Sequence, residues 1–194
     1  MGALILGLLL FLGMHSTRIF AEGWRTQLIA QRGPGAWKGL YTVVSLVGFG
    51  LVAWGYGQAR LAPQVLWASP LWTRHLAGLL MLVAMVLLAA AYVPRNSLKA
   101  RLHHPMVLAV KVWALAHLLA NNTVADLLLF GSFLVWAALD FRASRQRDRA
   151  GAVRYAAGTV AATVATVVLG GLLWAGMAFG AHLWLFGVRP FGAA

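Results

Sequence analysis

His104-Pro105-Met106-Val107-Leu108-Ala109-Val110-Lys111-Val112-Trp113-Ala114-Leu115-Ala116-His117-Leu118 reads as an apolar helix opened by a proline, yet it carries a lysine and a second histidine where lipid accepts neither. Inside a bilayer an ionisable side chain is costly unless it faces the bundle interior, a partner or water, so Lys111 and His117 are each functional-site candidates. At about 100° per residue, Ala109, Trp113, Ala116 and Ala120 fall on one stripe with His117 at its shoulder. Small residues beside an imidazole let a flat group or another backbone come close. Helix packing around one hydrogen-bonded histidine is the plainer reading of the same pattern.

The rest of the chain agrees with a membrane setting. Of its 194 residues 61% are apolar and only 10% charged, more apolar surface than a globular core can hide. A net charge of +12 raises the question of nucleic acid, but the cations sit in short segments between apolar spans and form no basic stripe or groove. The positive-inside rule accounts for them, and no nucleic-acid partner is expected. The chain has no cysteine, which removes disulfides, iron–sulfur ligation, thiolate-bound haem and covalent c-type attachment, so a redox centre must use His or Met. No Lys or Arg precedes the first apolar run, which therefore reads as a retained helix and not a signal peptide.

The expected fold is an all-α polytopic integral membrane helical bundle of about six transmembrane helices, since a span needs roughly 17–25 apolar residues. The six runs cover residues 3–21, 38–59, 71–92, 105–120, 124–141 and 155–187. The last is long enough to tilt, to break near Gly170-Gly171, or to end outside the membrane. Basic residues fall in the first loop (Arg25, Arg32, Lys38), the third (Arg95, Lys99, Arg101) and the fifth (Arg142, Arg145, Arg147, Arg149, Arg154). The second loop has Arg60 and Arg74 and the fourth has none, so the odd loops are expected in the cytoplasm and both termini outside. Trp54, Tyr56, Trp67 and Trp72 fit an interfacial aromatic belt.

Other polar positions follow helical spacing. Phe11, His15, Arg18 and Glu22 share one face of the first helix. Arg18 and Glu22 can form an ordinary i,i+4 surface pair, while His15 lies deeper. His75 sits just inside the outer boundary of the third span, within reach of headgroups or water. Asp126 and Asp140 read as boundary residues of the fifth span, and Gly158, Ala162, Thr166 and Gly170 make a small-residue face on the sixth. The turn at residues 94–101 is basic enough to hold a lipid phosphate or another anionic group.

Four segments carry a family resemblance: HHPMVLAVKVWALAHLLAN at 103–121, GMHS at 13–16, AWKGLY at 36–41 and HLWLFGVRP at 182–190. Together they resemble the NnrU family of bacterial inner-membrane proteins, which is linked to denitrification and shares its domain with 15-cis-zeta-carotene isomerase. The resemblance covers nearly the whole chain and implies a single domain over residues 1–194. It also implies a b-type haem, whose axial-ligand positions match His15 in the His-Ser motif and His117 in the Ala-His motif. Family members usually read Arg-His-Pro, whereas this chain has His103 before His104-Pro105.

A six-coordinate b haem needs two imidazoles, small or aromatic residues on its faces and cations for two propionates. The Ala109/Trp113/Ala116 stripe can supply the packing, and Arg18, Lys111 or Arg101 the cations. As counted along the spans, His15 and His117 differ in depth by roughly 10 Å at 1.5 Å per residue. Continuing the first helix through Trp24 to Ile29 removes the offset. His75 with His117 is the second choice by depth, and His182 the third. Membrane lipid is the expected partner, with another membrane protein compatible. The His-Pro helix also resembles S-adenosylmethionine-dependent membrane methyltransferases, but these need a glutamate-rich stretch and Glu22 is the only glutamate here. A non-catalytic assembly or regulatory factor is the third reading, and the sequence does not decide whether the protein is an enzyme.

Overall fold

The computed structural model describes residues 1–191. Among them the regular elements are all helices: α1 Gly2–His15, α2 Thr17–Phe20, α3 Glu22–Ala59, α4 Leu71–Tyr92, α5 Ser97–Leu102, α6 Pro105–Ala120, α7 Val124–Ala150, α8 Val160–Gly176, a π turn Met177–Ala181 and α9 His182–Phe186. Two isolated bridges, Val65 with Thr123 and Asn96 with Thr159, are the extended pairings among these residues. Four helical stretches are long and apolar enough to cross a membrane: Glu22–Ala59, Leu71–Tyr92, Val124–Ala150 and Val160–Phe186. α1 and α6, of 14 and 16 residues, are apolar but shorter, so four of the six expected spans have the length and composition to cross.

The boundaries differ from the sequence reading at three places. The run at 3–21 is not one helix: α1 stops at His15 and a single turn follows. The span expected from residue 38 begins much earlier, but its helix is interrupted at Gly33, whose φ of 79° and ψ of 163° are accessible essentially to glycine alone. Pro34 then opens the second half, where its missing N–H costs nothing. The last helix starts at Val160, and its irregularity is the π turn at 177–181, not a break at Gly170-Gly171.

The helices stack in a row. α3 lies against α1, α1 touches α7 along a short seam, α7 packs on α6, α6 on α4 and α4 on α8. With no hydrophobic drive between helices in lipid, close approach decides which pairs form. A Cβ at Gly7 would stand 2.5 Å from the Val52 amide nitrogen, and one at Gly48 would stand 2.7 Å from that of Phe11. Gly55, two turns along α3, faces Leu4 in the same way, so α1 and α3 meet backbone to backbone. Gly170 does the same for α8 against Val86 of α4. The core that results joins Leu4, Leu8, Val52, Ala114, Leu129 and Phe130 from α1, α3, α6 and α7.

Polar clasps close each end. At one end Tyr56 of α3 donates to Asp126, which also closes a capping box with Thr123 at the start of α7. At the basic end, buried Asn96 donates to the carbonyls of Ala90 and Val93 and accepts from the Lys99 amide, stopping α4 and starting α5. The Ser97 amide then donates to Thr163 of α8.

Candidate functional site

α1, α6 and α7 meet around a slab of aromatic rings that holds both leading histidines. His15 is the last residue of α1, and its Nδ1 donates to the Phe11 carbonyl at 2.7 Å. Its ring stacks on Phe11 at 4.2 Å and lies 5.1 Å from Tyr41 and 6.0 Å from Trp136. His117, one turn before the end of α6, donates from Nδ1 to the Trp113 carbonyl at 2.9 Å. Its ring stacks on Phe130 at 4.6 Å and meets Trp113 at 5.2 Å.

These bonds settle the tautomer. A carbonyl can only accept, so the proton sits on Nδ1 and the lone pair of a neutral imidazole is on Nε2. Among the described residues neither Nε2 makes a hydrogen bond. An imidazole whose Nδ1–H is tied to a backbone carbonyl is the usual form of a histidine metal ligand. His182 has the same arrangement, with Nδ1 donating to the Val188 carbonyl at 2.8 Å.

The two imidazoles are not set across a common plane. Their contacts on α7, Phe130 for His117 and Trp136 for His15, lie six residues apart, or about 9 Å along the axis. The depth offset expected from counting along the spans therefore persists, because α1 ends at His15 and does not continue through Trp24. Phe133 fills the interval, 5.9 Å from Phe11 and 5.4 Å from Trp113. Beside His15 the α1–α7 seam opens into a cleft of about 470 Å³ bordered by Leu12, Ser16, Ser132, Val135 and Trp136. The indole N–H of Trp136 is buried there without a partner. The seam offers two imidazole donors and aromatic walls, but as packed the Phe11 and Phe133 rings occupy the space that a macrocycle between His15 and His117 would need.

The other candidates are scattered. Trp113 is in the slab. The ammonium of Lys111 lies 5.3 Å above the Phe141 ring and has no carboxylate partner among the described residues. Arg18 is half exposed and pairs with Glu22 at 3.6 Å, the ordinary surface pair of the sequence reading. Arg101 is exposed at the end of α5. His75 is exposed on α4, its ring 6.4 Å from Phe191. Only Trp113 therefore joins the two histidines, and no group of three or more His, Asp or Glu among the described residues can hold a metal ion.

A second polar cluster, at the basic end, escaped the sequence reading. His104 donates from Nε2 to Asp148 at 2.8 Å, and Tyr155 donates to the same oxygen at 3.0 Å. His103 and Arg145 approach it at 3.9 and 3.8 Å, and His103 holds a left-handed φ of 72°. Burial pulls the Asp148 carboxyl upward, but the hydrogen bonds from Tyr155 and His104, with the charges of His104 and Arg145, hold it below the ordinary carboxylate range. Burial, followed by its bond to Asp148, raises the Tyr155 phenol. Asp148 lies 44 residues from His104, and no local motif links them. Asp126, read from the sequence as a boundary residue, is placed by a capping box whose Thr-x-x-Asp spacing is a local signal the reading did not use.

A family model described as NnrU protein matches residues 3–190. No curated protein and no solved structure matches the chain.

Proposed function

We propose a function from one premise, that the chain belongs to the NnrU family. The protein is read as a b-type haem protein of the bacterial inner membrane, associated with nitrite and nitric oxide reduction. The single observation that carries the reading is the matched pair of imidazoles, each with Nδ1–H tied to the carbonyl four residues back and Nε2 uncommitted, in one aromatic seam. His117 and His15 would hold the iron, with His182 the alternative second ligand because its Nδ1–H is likewise tied to a backbone carbonyl. Trp113 and Phe130 would wall the group, and Lys111 or Arg101 would meet its propionates. Haem iron supplies one-electron chemistry and binds nitric oxide. The chain's own part is to orient the imidazoles and exclude water from the seam.

The basic loops argue for an orientation with α2, α5 and the α7–α8 connector in the cytoplasm and both termini outside. In that orientation α1 and α6 complete a six-helix bundle, their shorter lengths matched by flanking polar turns.

The test is the absorption spectrum of the detergent-solubilised protein. A Soret band with resolved α and β bands on reduction is expected. His117→Ala is expected to lose the pigment or turn it high-spin, and the same change in only one of His15→Ala and His182→Ala identifies the second ligand. A colourless protein expressed with ample haem refutes the reading, and S-adenosylmethionine binding by that protein would support the methyltransferase alternative.

A further inference from the structure

Two exposed aromatic rings stand at the basic end outside the bundle: Phe20, 72% exposed, and Trp24, 49% exposed. Phe20 ends α2, and Trp24 lies in the first turn of the long helix α3. A straight helix over all 38 residues of α3 would reach about 57 Å, nearly twice the hydrocarbon thickness. The break at Gly33 divides it into residues 34–59, ample for one crossing, and residues 22–32, an arm of three turns.

The arm has two unlike faces. At about 100° per residue, Trp24, Leu28 and Ile29 share one face with Arg25 and Arg32, and Gly23, Thr26, Gln27 and Ala30 form the other. The second face is exposed along its length, whereas Arg25, Leu28 and Ile29 are half-buried. The first face folds back on the start of the span. Trp24 meets buried Trp37 edge-on at 5.9 Å, and the Arg25 guanidinium lies 5.6 Å over the same ring. An apolar stripe flanked by arginines, turned toward the membrane end of its own span, is the pattern of a helix lying in the plane of a lipid surface.

We propose that residues 22–32 form a surface-lying arm, hinged at Gly33, that docks on the anionic headgroups of the leaflet at the basic end of the bundle. Trp24, Leu28 and Phe20 enter the headgroup–acyl boundary, and Arg32 and Lys38, both exposed, meet the lipid phosphates. Glu22 is the arm's own acid and is already satisfied by Arg25 at 3.0 Å and Arg18 at 3.6 Å, so the net charge presented to the surface is positive. The proposal is independent of the haem reading.

The native chain has no cysteine, so single cysteines report one position each. Spin labels at Leu28→Cys, Thr26→Cys and Ala30→Cys are read in the full chain reconstituted in phosphatidylglycerol or phosphatidylcholine vesicles. In phosphatidylglycerol the label at 28 is expected to be relaxed by oxygen and shielded from a water-soluble nickel chelate, with the reverse at 26 and 30. Arg32→Gln with Lys38→Gln, or a change to phosphatidylcholine, is expected to lose that contrast. Gly33→Ala, which forces a side chain into a glycine-only conformation, is expected to lose it in phosphatidylglycerol as well. Equal exposure to nickel at all three positions overturns the proposal. A label at 28 shielded from both reagents, as under a protein partner or second copy, also overturns it, and so does a contrast indifferent to lipid charge and to the paired substitution.

Discussion

Replacing Gly48 by alanine adds one methyl group at one of the points where α3 lies against the backbone of α1. The new Cβ would stand 2.7 Å from the Phe11 amide nitrogen and 3.1 Å from its Cα and Cβ. Packed atoms keep roughly 3.5–4.0 Å, so α1 must back away by about 1 Å along this stretch. Nothing flexible can give, because the nearest neighbours are backbone. The retreat loosens the packing of Leu4, Leu8 and Phe11, and overpacking of this kind costs about 1–3 kcal/mol. Gly50, two residues on in the same helix, has nothing within 4 Å of its ideal Cβ. Alanine there adds helix propensity of up to ~1 kcal/mol and displaces no neighbour. The same chemical change is thus expected to have opposite signs two residues apart. Unfolding of the purified protein in a fixed detergent, followed by circular dichroism on titration with denaturing surfactant, reads the difference. Gly48→Ala should unfold first, the parent next and Gly50→Ala last. If Gly48→Ala proves as stable as Gly50→Ala, the backbone contact between α1 and α3 is wrong, and so is the placement of His15 that depends on it.

Three further outcomes are expected. His103→Ala should leave any haem spectrum intact, since its ring packs on Tyr155 at the basic end, far from the aromatic slab; loss of pigment there would show the ligand assignment to be wrong. Tyr56→Phe removes the 2.5 Å bond to Asp126, leaves that carboxylate its Thr123 partners, and should cost about 1–2 kcal/mol, with the exposed Tyr92→Phe as the neutral control; equal unfolding midpoints would deny the clasp its weight. The Asp148 carboxyl is depressed, so its share of stability is present above the unfolded value near 3.9 and is lost as pH falls through the lower folded value. The stability gap between parent and Asp148→Asn should therefore be flat from pH 7 to about 5 and shrink below about 4; a gap that widens on acidification contradicts the sign.

The membrane class and the approximate position of the helices were legible in the sequence because they depend on runs of apolar residues, a local property. Pro105 opening α6, Asn96 stopping α4 and starting α5, and the Thr123 capping box act within a few residues of themselves for the same reason. The end of α1 was not read, since Ala21, Trp24 and Ile29 continue an acceptable helical pattern while the backbone leaves it at Ala21 (φ −136°, ψ 36°); the break at Gly33 had a signal in Gly33-Pro34-Gly35 that the reading did not use.

The candidate site divides along the same line. His15 and His117 could be singled out as ionisable groups in apolar runs, but their offset along α7 depends on which faces of α1, α6 and α7 meet. His104 and Asp148 could not be paired at all. Lipid is as apolar as leucine, so hydrophobicity fixes that a helix enters the membrane and not which neighbour it chooses. That choice rests on close backbone approach at glycines such as Gly7, Gly48 and Gly170, and on polar pairs such as Tyr56 with Asp126. Those contacts exist only once distant segments are brought side by side.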